Sequence, residues 1–428
     1  MENKRIGDDV RMVHVCYAMT DKQGTYSKYI GASMCSLFER TDAWVTVHLL
    51  HDETLTERNR NKFIELTRKY GQQIFFYNVA ETCRELLAEA RDIFKAAVDT
   101  DYYTPAALYR LLAPSVLAQD IKRLIYLDAD TIINMDIRKL WEFFLDGHPL
   151  GALGERRLMN HYQKQVDKSI DDKVYLFQNS WTDSDTCFNS GVLVMDLEKI
   201  RDMGDILLPG LRFLVQHEEE CRFFDQDILN YFFARDYMQL PWNYNILQHW
   251  DRWWGKPEVY EGIYHYLGHT LRLNFQEPRD RIFYEAFVKT PWCDAEFICK
   301  SHDVTRDVLG GMIARNNELN RKAAAVWAKR QRVFVGPKVD EENLRSLFFL
   351  DKDEPYIILD GGVESGALNL PYDLGTHVYV FFLNDFPKLK QKLVEAGWQE
   401  WEDYIDGGAL ILPHPTRMLD EYQIFMVM

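Results

Sequence analysis

Along the first hundred residues, short apolar runs alternate with stretches in which apolar side chains recur at helical spacing. Residues 13–18 (VHVCYA) form a β-branched apolar run and read as a strand. Residues 29–38 carry apolar positions at helical intervals, and 44–50 (WVTVHLL) read as a second strand. Thr54 followed by Glu57 fits a capping box, which predicts a helix running to Tyr70 and ending at Gly71. Residues 73–77 (QIFFY) read as a third strand. This βαβαβ order predicts a mainly parallel sheet with helices on both faces. Such sheets bind ligands at the carboxyl ends of their strands.

The alternation continues with a helix-like stretch at 105–117 and a buried strand at 123–127 (RLIYL), which runs directly into Asp128-Ala129-Asp130. A further strand is expected at 188–195 (FNSGVLVM) and a helix at 225–233. Beyond residue 300 the pattern changes. Residues 316–332 read as a polar helix carrying Arg321, Lys322, Lys329, Arg330 and Arg332. Strands are expected at 356–360, 377–383, 409–412 and 423–427, with a helix at 387–396. The expected organisation is an α/β catalytic domain over 1–300, a helical linker over 301–335 and a smaller C-terminal α/β unit over 336–428.

Charge sharpens that division. The chain has a formal net charge of −16, and residues 339–428 hold 17 acidic against 6 basic side chains. An acidic surface repels phosphate backbones, so no nucleic-acid partner is expected. The polar start MENKRIGDDV has no apolar core of a secretory signal, and no apolar run reaches the ~18 residues of a membrane span. The seven cysteines include no CxxC pair. Free thiols in a cytoplasmic protein are therefore expected. Peripheral contact with a membrane and homo-oligomerisation both stay open.

The strongest chemical signal is Asp128-x-Asp130 at a strand end. Two carboxylates so placed can converge on a hard divalent cation. Burying them side by side without one is costly. An isolated DxD is common, so its context decides. The segment RLIYLDADTIINMDIRKLW, together with TYSKYIGASMCS at 25–36, YRLL at 109–112, FNSGVLVMDL at 188–197, FFDQDILN at 223–230 and HYLG at 265–268, closely resembles the retaining glycosyltransferases of family 8. That family includes bacterial lipopolysaccharide galactosyl- and glucosyltransferases and glycogenin.

The resemblance implies a GT-A fold, a Rossmann-like domain binding a nucleotide sugar and a metal, usually Mn2+ with Mg2+ as the alternative. Asp128, Asp130 and His265 would be the metal ligands. Tyr26 would stack on the uracil, and Asp21 would lie near a polar contact to the base. Arg110 would contact the donor. Asp128, Ala129, Asp130 and Gly268 fall in its donor-binding blocks. Glu155 would stand near the donor sugar and Asn189 would hold it, with Gly191 allowing close approach. Asp225 would contact the sugar, and Gln226 would face the anomeric carbon. Retention in the family is usually explained by front-face substitution, with a double displacement through the Gln226 position as the disputed alternative. One departure stands out. Where the family has Lys-Pro-Trp after HxxG, this chain has His269-Thr270-Leu271-Arg272, so Arg272 or His269 would have to replace the lysine.

The expected function is transfer of glucose or galactose from a UDP-hexose to a glycan or glycolipid acceptor. A glycogenin-like self-glycosylating primer and a nucleotide-sugar-binding protein of decayed activity are the alternatives. No motif assigns a role to residues 336–428.

Overall fold

The computed structural model describes residues 12–22, 24–97, 106–166, 186–221, 223–248, 251, 258–266, 277–359, 370–383 and 386–411. The chain divides into two compact units between Lys300 and Ser301.

The first unit is built on a seven-stranded sheet. Its strands are β1 (Val13–Met19), β2 (Val45–His51), β3 (Gln73–Asn78), β4 (Arg123–Leu127), β6 (Leu150–Gly154), β7 (Phe188–Asp196) and β8 (Met238–Gln239). Three more strands, β5 (Thr131–Asn134), β9 (Ile246–Leu247) and β10 (Gly262–His265), form a second small sheet. All of β2 is buried, and of β1 only His14 is partly exposed. Coverage on both faces explains why these segments read as continuous apolar runs. On one face Val13, Val15, Tyr17, Val45, Val47 and Leu49 join a core with the helix Thr25–Glu39. On the other, Cys16, Ala18 and Leu50 pack with the helix Ala106–Val116.

The large sheet runs β3-β2-β1-β4-β7-β6-β8. Strands β1 to β4 are parallel neighbours, whereas β7 is antiparallel to both β4 and β6. The chain moves outward from β1 to β3 and then returns to the other side of β1 with β4. This reversal opens a crevice at the carboxyl ends of β1 and β4, the place where open α/β sheets bind ligands. Asp21 and Asp128 follow those two ends.

One expected cap is corrected. The helix Glu57–Lys69 is capped by Thr56, whose hydroxyl accepts from Asn59 N, whereas Thr54 hydrogen-bonds Asp52. Its far end is closed as expected by Gly71, at φ +66°.

The second unit holds a four-stranded parallel sheet of β11 (Gln331–Gly336), β12 (Tyr356–Ile358), β13 (His377–Phe381) and β14 (Tyr404–Asp406), in the order β12-β11-β13-β14. Val333, Val335, Tyr379 and Phe381 face one core with the helix Phe386–Glu395. Phe334, Val378, Val380 and Ile405 face the other, with Ala323 of the helix Ala295–Trp327. The expected polar helix therefore ends before Arg332, which lies on β11 and pairs with Glu354 at 2.6 Å. The strand expected at 409–412 is also corrected: Gly408–Leu410 is a 3-10 turn, and the edge strand is β14. Residues 423–427 lie outside the described residues.

Candidate active site

The acid pair sits on a tight connection between the two sheets of the first unit. Asp128 N donates to Gly191 O at 2.8 Å, and Thr131 Oγ1 donates to Asp128 O at 2.8 Å. Strand β5 then pairs antiparallel with β10, which sets His265 opposite Thr131. That register brings a histidine from 135 positions later beside the acids. His265 Nε2 lies 3.6 Å from Asp128 Oδ2 and 3.4 Å from Asp130 Oδ1. One ligand atom from each of the three side chains falls within 4.8 Å of the others. Gly191 makes the approach feasible, because a Cβ there would lie 2.2 Å from His265 Cε1. Burial alone would lower the His265 pKa, but Asp130 and then Asp128 outweigh it and hold it above the usual value.

Arg110 ties this corner to a third acid. Its Nη2 donates to Asp128 Oδ1 at 2.7 Å, its Nε lies 2.9 Å from Asp225 Oδ2, and its Nη1 donates to Ser190 O at 2.9 Å. The guanidinium also lies over the Tyr126 ring, 4.5 Å from the centroid. Arg110 is 8% exposed. Its Nη1 and Nη2 thus donate to protein partners, whereas Nε lies beside Asp225 without a hydrogen bond. Asp225 is pushed up to about 7, chiefly by burial, with Arg110 opposing. Arg110 touches two of the three carboxylates, Asp128 and Asp225, while Asp130 lies beside His265. Two carboxylate oxygens and an imidazole nitrogen converging on one point fit a divalent cation.

Gln226 is placed by a chain of amides. Its Oε1 accepts from Ser190 N at 3.1 Å and from Asn189 Nδ2 at 3.0 Å. The helix Asp225–Phe233 is docked on β7 by Asn230, whose amide accepts from Phe188 N at 3.0 Å and donates to Phe188 O at 3.0 Å. The residue before that helix, Phe224, has φ +52°, a conformation side chains rarely adopt. Such backbone strain concentrates at functional sites. The turn is held by Asp227, which accepts from Phe223 N at 2.6 Å.

The other expected residues are distributed around the crevice. Tyr26 is 44% exposed, in the first turn of the helix Thr25–Glu39. Asp21 is buried and accepts from Asn59 Nδ2 at 2.9 Å, Ser27 N at 3.2 Å and the Ser27 hydroxyl. Its oxygens thus anchor the start of that helix. Glu155 is buried at the end of β6, and Ala129 is buried between the two acids. Gly268, His269 and Arg272 lie outside the described residues. Sequence reading assigned nothing to Ser190, Asn230 or Asn245. For Asn230 a signal existed, since it stands one helical turn after Gln226 within FFDQDILN. Asn245 carried none.

An acid–acid–histidine corner thus lies at the switch point of a mainly parallel sheet, where open α/β sheets bind ligands. The chain belongs to glycosyl transferase family 8, whose sequence model matches residues 16–270. It is a glycosyltransferase of the GT-A type on that membership. General stress protein A of Bacillus subtilis is 25% identical over 225 residues, covering 52% of this chain and 70% of that protein. Lipopolysaccharide 1,2-glucosyltransferase of Escherichia coli is 28% identical over 148 residues, 35% of this chain and 40% of that one. Among solved structures, the galactosyltransferase LgtC with donor and acceptor sugar analogs aligns over 67% of this chain and 99% of its own, at 19% identity and a TM-score of 0.49. The second unit lies beyond the residues the family model matches.

Proposed function

We propose that this protein is a retaining hexosyltransferase that moves glucose or galactose from a UDP-sugar, with Mn2+, onto a surface glycan or glycolipid. The observation that carries the reading is the convergence of Asp128, Asp130 and His265. These three would hold the cation. When bound, it supplies Lewis-acid stabilisation of the departing diphosphate. Arg110 keeps Asp128 and Asp225 at fixed positions, so their charge needs no rearrangement during reaction. Tyr26 offers an exposed ring for the base. Gln226 has its side-chain oxygen occupied by two donors, Ser190 N and Asn189 Nδ2. An amide oxygen so engaged is a poor nucleophile, which favours front-face substitution over attack by Gln226.

The lipopolysaccharide glucosyltransferase among the relatives supports a glycan or glycolipid acceptor. No helix among the described residues is long and apolar enough to cross a membrane. The test is a panel of nucleotide sugars assayed for nucleoside diphosphate release, with and without Mn2+. Release from UDP-glucose or UDP-galactose that requires Mn2+ supports the reading. Release from a different nucleotide sugar, or none from any, overturns it.

A further inference from the structure

We infer that Asn245 is a positioning residue that fixes which nitrogen of His265 faces the acids and links that choice to Gln226. The inference rests on the reading that this corner holds a divalent cation. Two backbone N–H groups, which can only donate, fix the orientation of the network. Ser190 N donates to Gln226 Oε1 at 3.1 Å, and Gly191 N donates to Asn189 Oδ1 at 3.0 Å. These bonds set the orientation of both amides. Asn189 therefore turns its NH2 to Gln226 Oε1, at 3.0 Å, and only its oxygen toward Asn245. Asn245 must answer with its own NH2, which donates to that oxygen at 2.7 Å.

The remaining end of Asn245 is then its oxygen, 3.1 Å from His265 Nδ1. An oxygen there accepts, so Nδ1 carries the hydrogen. The lone pair of neutral His265 is left on Nε2, the atom facing Asp128 and Asp130. Metal-binding imidazoles are oriented by the bond their other nitrogen makes. Here that bond ends a relay of three amides whose far end is Gln226. Asn245 is fully buried, as is Ile246, the first residue of β9. Because β9 pairs with β10, Asn245, the residue just before β9, is held beside the strand that carries His265.

The test uses the full chain labelled with 15N-histidine, free of metal, at a pH where His265 is neutral, with its signals assigned by their loss in His265→Gln. The wild type is expected to show the Nδ1–H tautomer, and Asn245→Leu a shift toward Nε2–H. Asn245→Asp keeps an acceptor for Nδ1 but loses the donor to Asn189. It should retain the wild-type tautomer while slowing transfer. Calorimetry with Mn2+ alone should show affinity falling by about 10–100-fold in Asn245→Leu. A wild-type His265 carrying its hydrogen on Nε2 overturns the inference without any variant, as does an unchanged tautomer in a folded Asn245→Leu. If the wild type binds no Mn2+, the metal reading fails, and the tautomer still decides the relay.

Discussion

Asp128 and Asp406 both stand at the carboxyl end of a strand in a parallel sheet, one in each unit. Around Asp128 converge side chains from positions 110, 130 and 265, carried by three different elements. Asp406 instead accepts from the backbone N–H groups of Ala409 and Gly408 just ahead of it in the chain, and burial raises its pKa. The first carboxylate is held by distant residues, whereas the second closes a local turn. Among the described residues, the acid–acid–histidine group at Asp128 is the one cluster able to hold a metal ion. A strand-end acid is therefore a site only where the topology delivers partners to it. In the first unit the delivery is made by the β5–β10 pairing and by the reversal of strand order at β1 and β4.

The largest expected effect separates the two units by their arginines. Arg110→Met leaves two acids beside each other without their buried cation and should cost about 3–5 kcal/mol of stability. Arg332→Met removes the partly exposed pair with Glu354 in the second unit and should cost no more than about 1 kcal/mol. Urea denaturation of both variants measures the contrast, and equal losses would erase it. Next in size is Gly191→Ala. The added Cβ must displace His265, so Mn2+ affinity should fall by about tenfold or more, read by calorimetry.

Gln226→Ala should lower the transfer rate by more than about tenfold, above ~1.4 kcal/mol of barrier. Calorimetry should find UDP affinity nearly unchanged, since Gln226 is tied to Asn189 and Ser190 and not to the acids. Equal losses in rate and affinity would mean it belongs to the phosphate grip. The smallest effect is expected at Asp406→Asn. Its amide oxygen can still accept from the turn, so stability should change by less than about 1 kcal/mol. Binding of UDP and Mn2+ should be untouched, and a loss there would join the second unit to the site.

Much of the first unit was legible in sequence because β1, β2, β4 and β7 are buried almost throughout and read as apolar runs. The strand at 123–127 and the helix at 225–233 stand where the apolar pattern put them. The second unit was harder. Strand β11 begins with Gln331 and Arg332, which extend the polar helix pattern ahead of it, and only Val333–Gly336 is buried. Of the apolar run at 409–412, Ala409 and Leu410 belong to a 3-10 turn, because β14 already occupies the sheet edge. Within the site, the motif blocks named the acids, His265 and Gln226. The amides joining them could not be read, since a hydrogen bond between Asn189 and Asn245 depends on strands far apart in the chain.

The central claim is that Asp128, Asp130 and His265 hold the cation through which UDP binds. Its most direct test is calorimetry of UDP binding with Mn2+ present, on wild type and Asp130→Asn. The account predicts Mn2+-dependent binding in the wild type and none in the variant, with melting temperatures within a few degrees. Unchanged UDP–Mn2+ affinity in Asp130→Asn would contradict it.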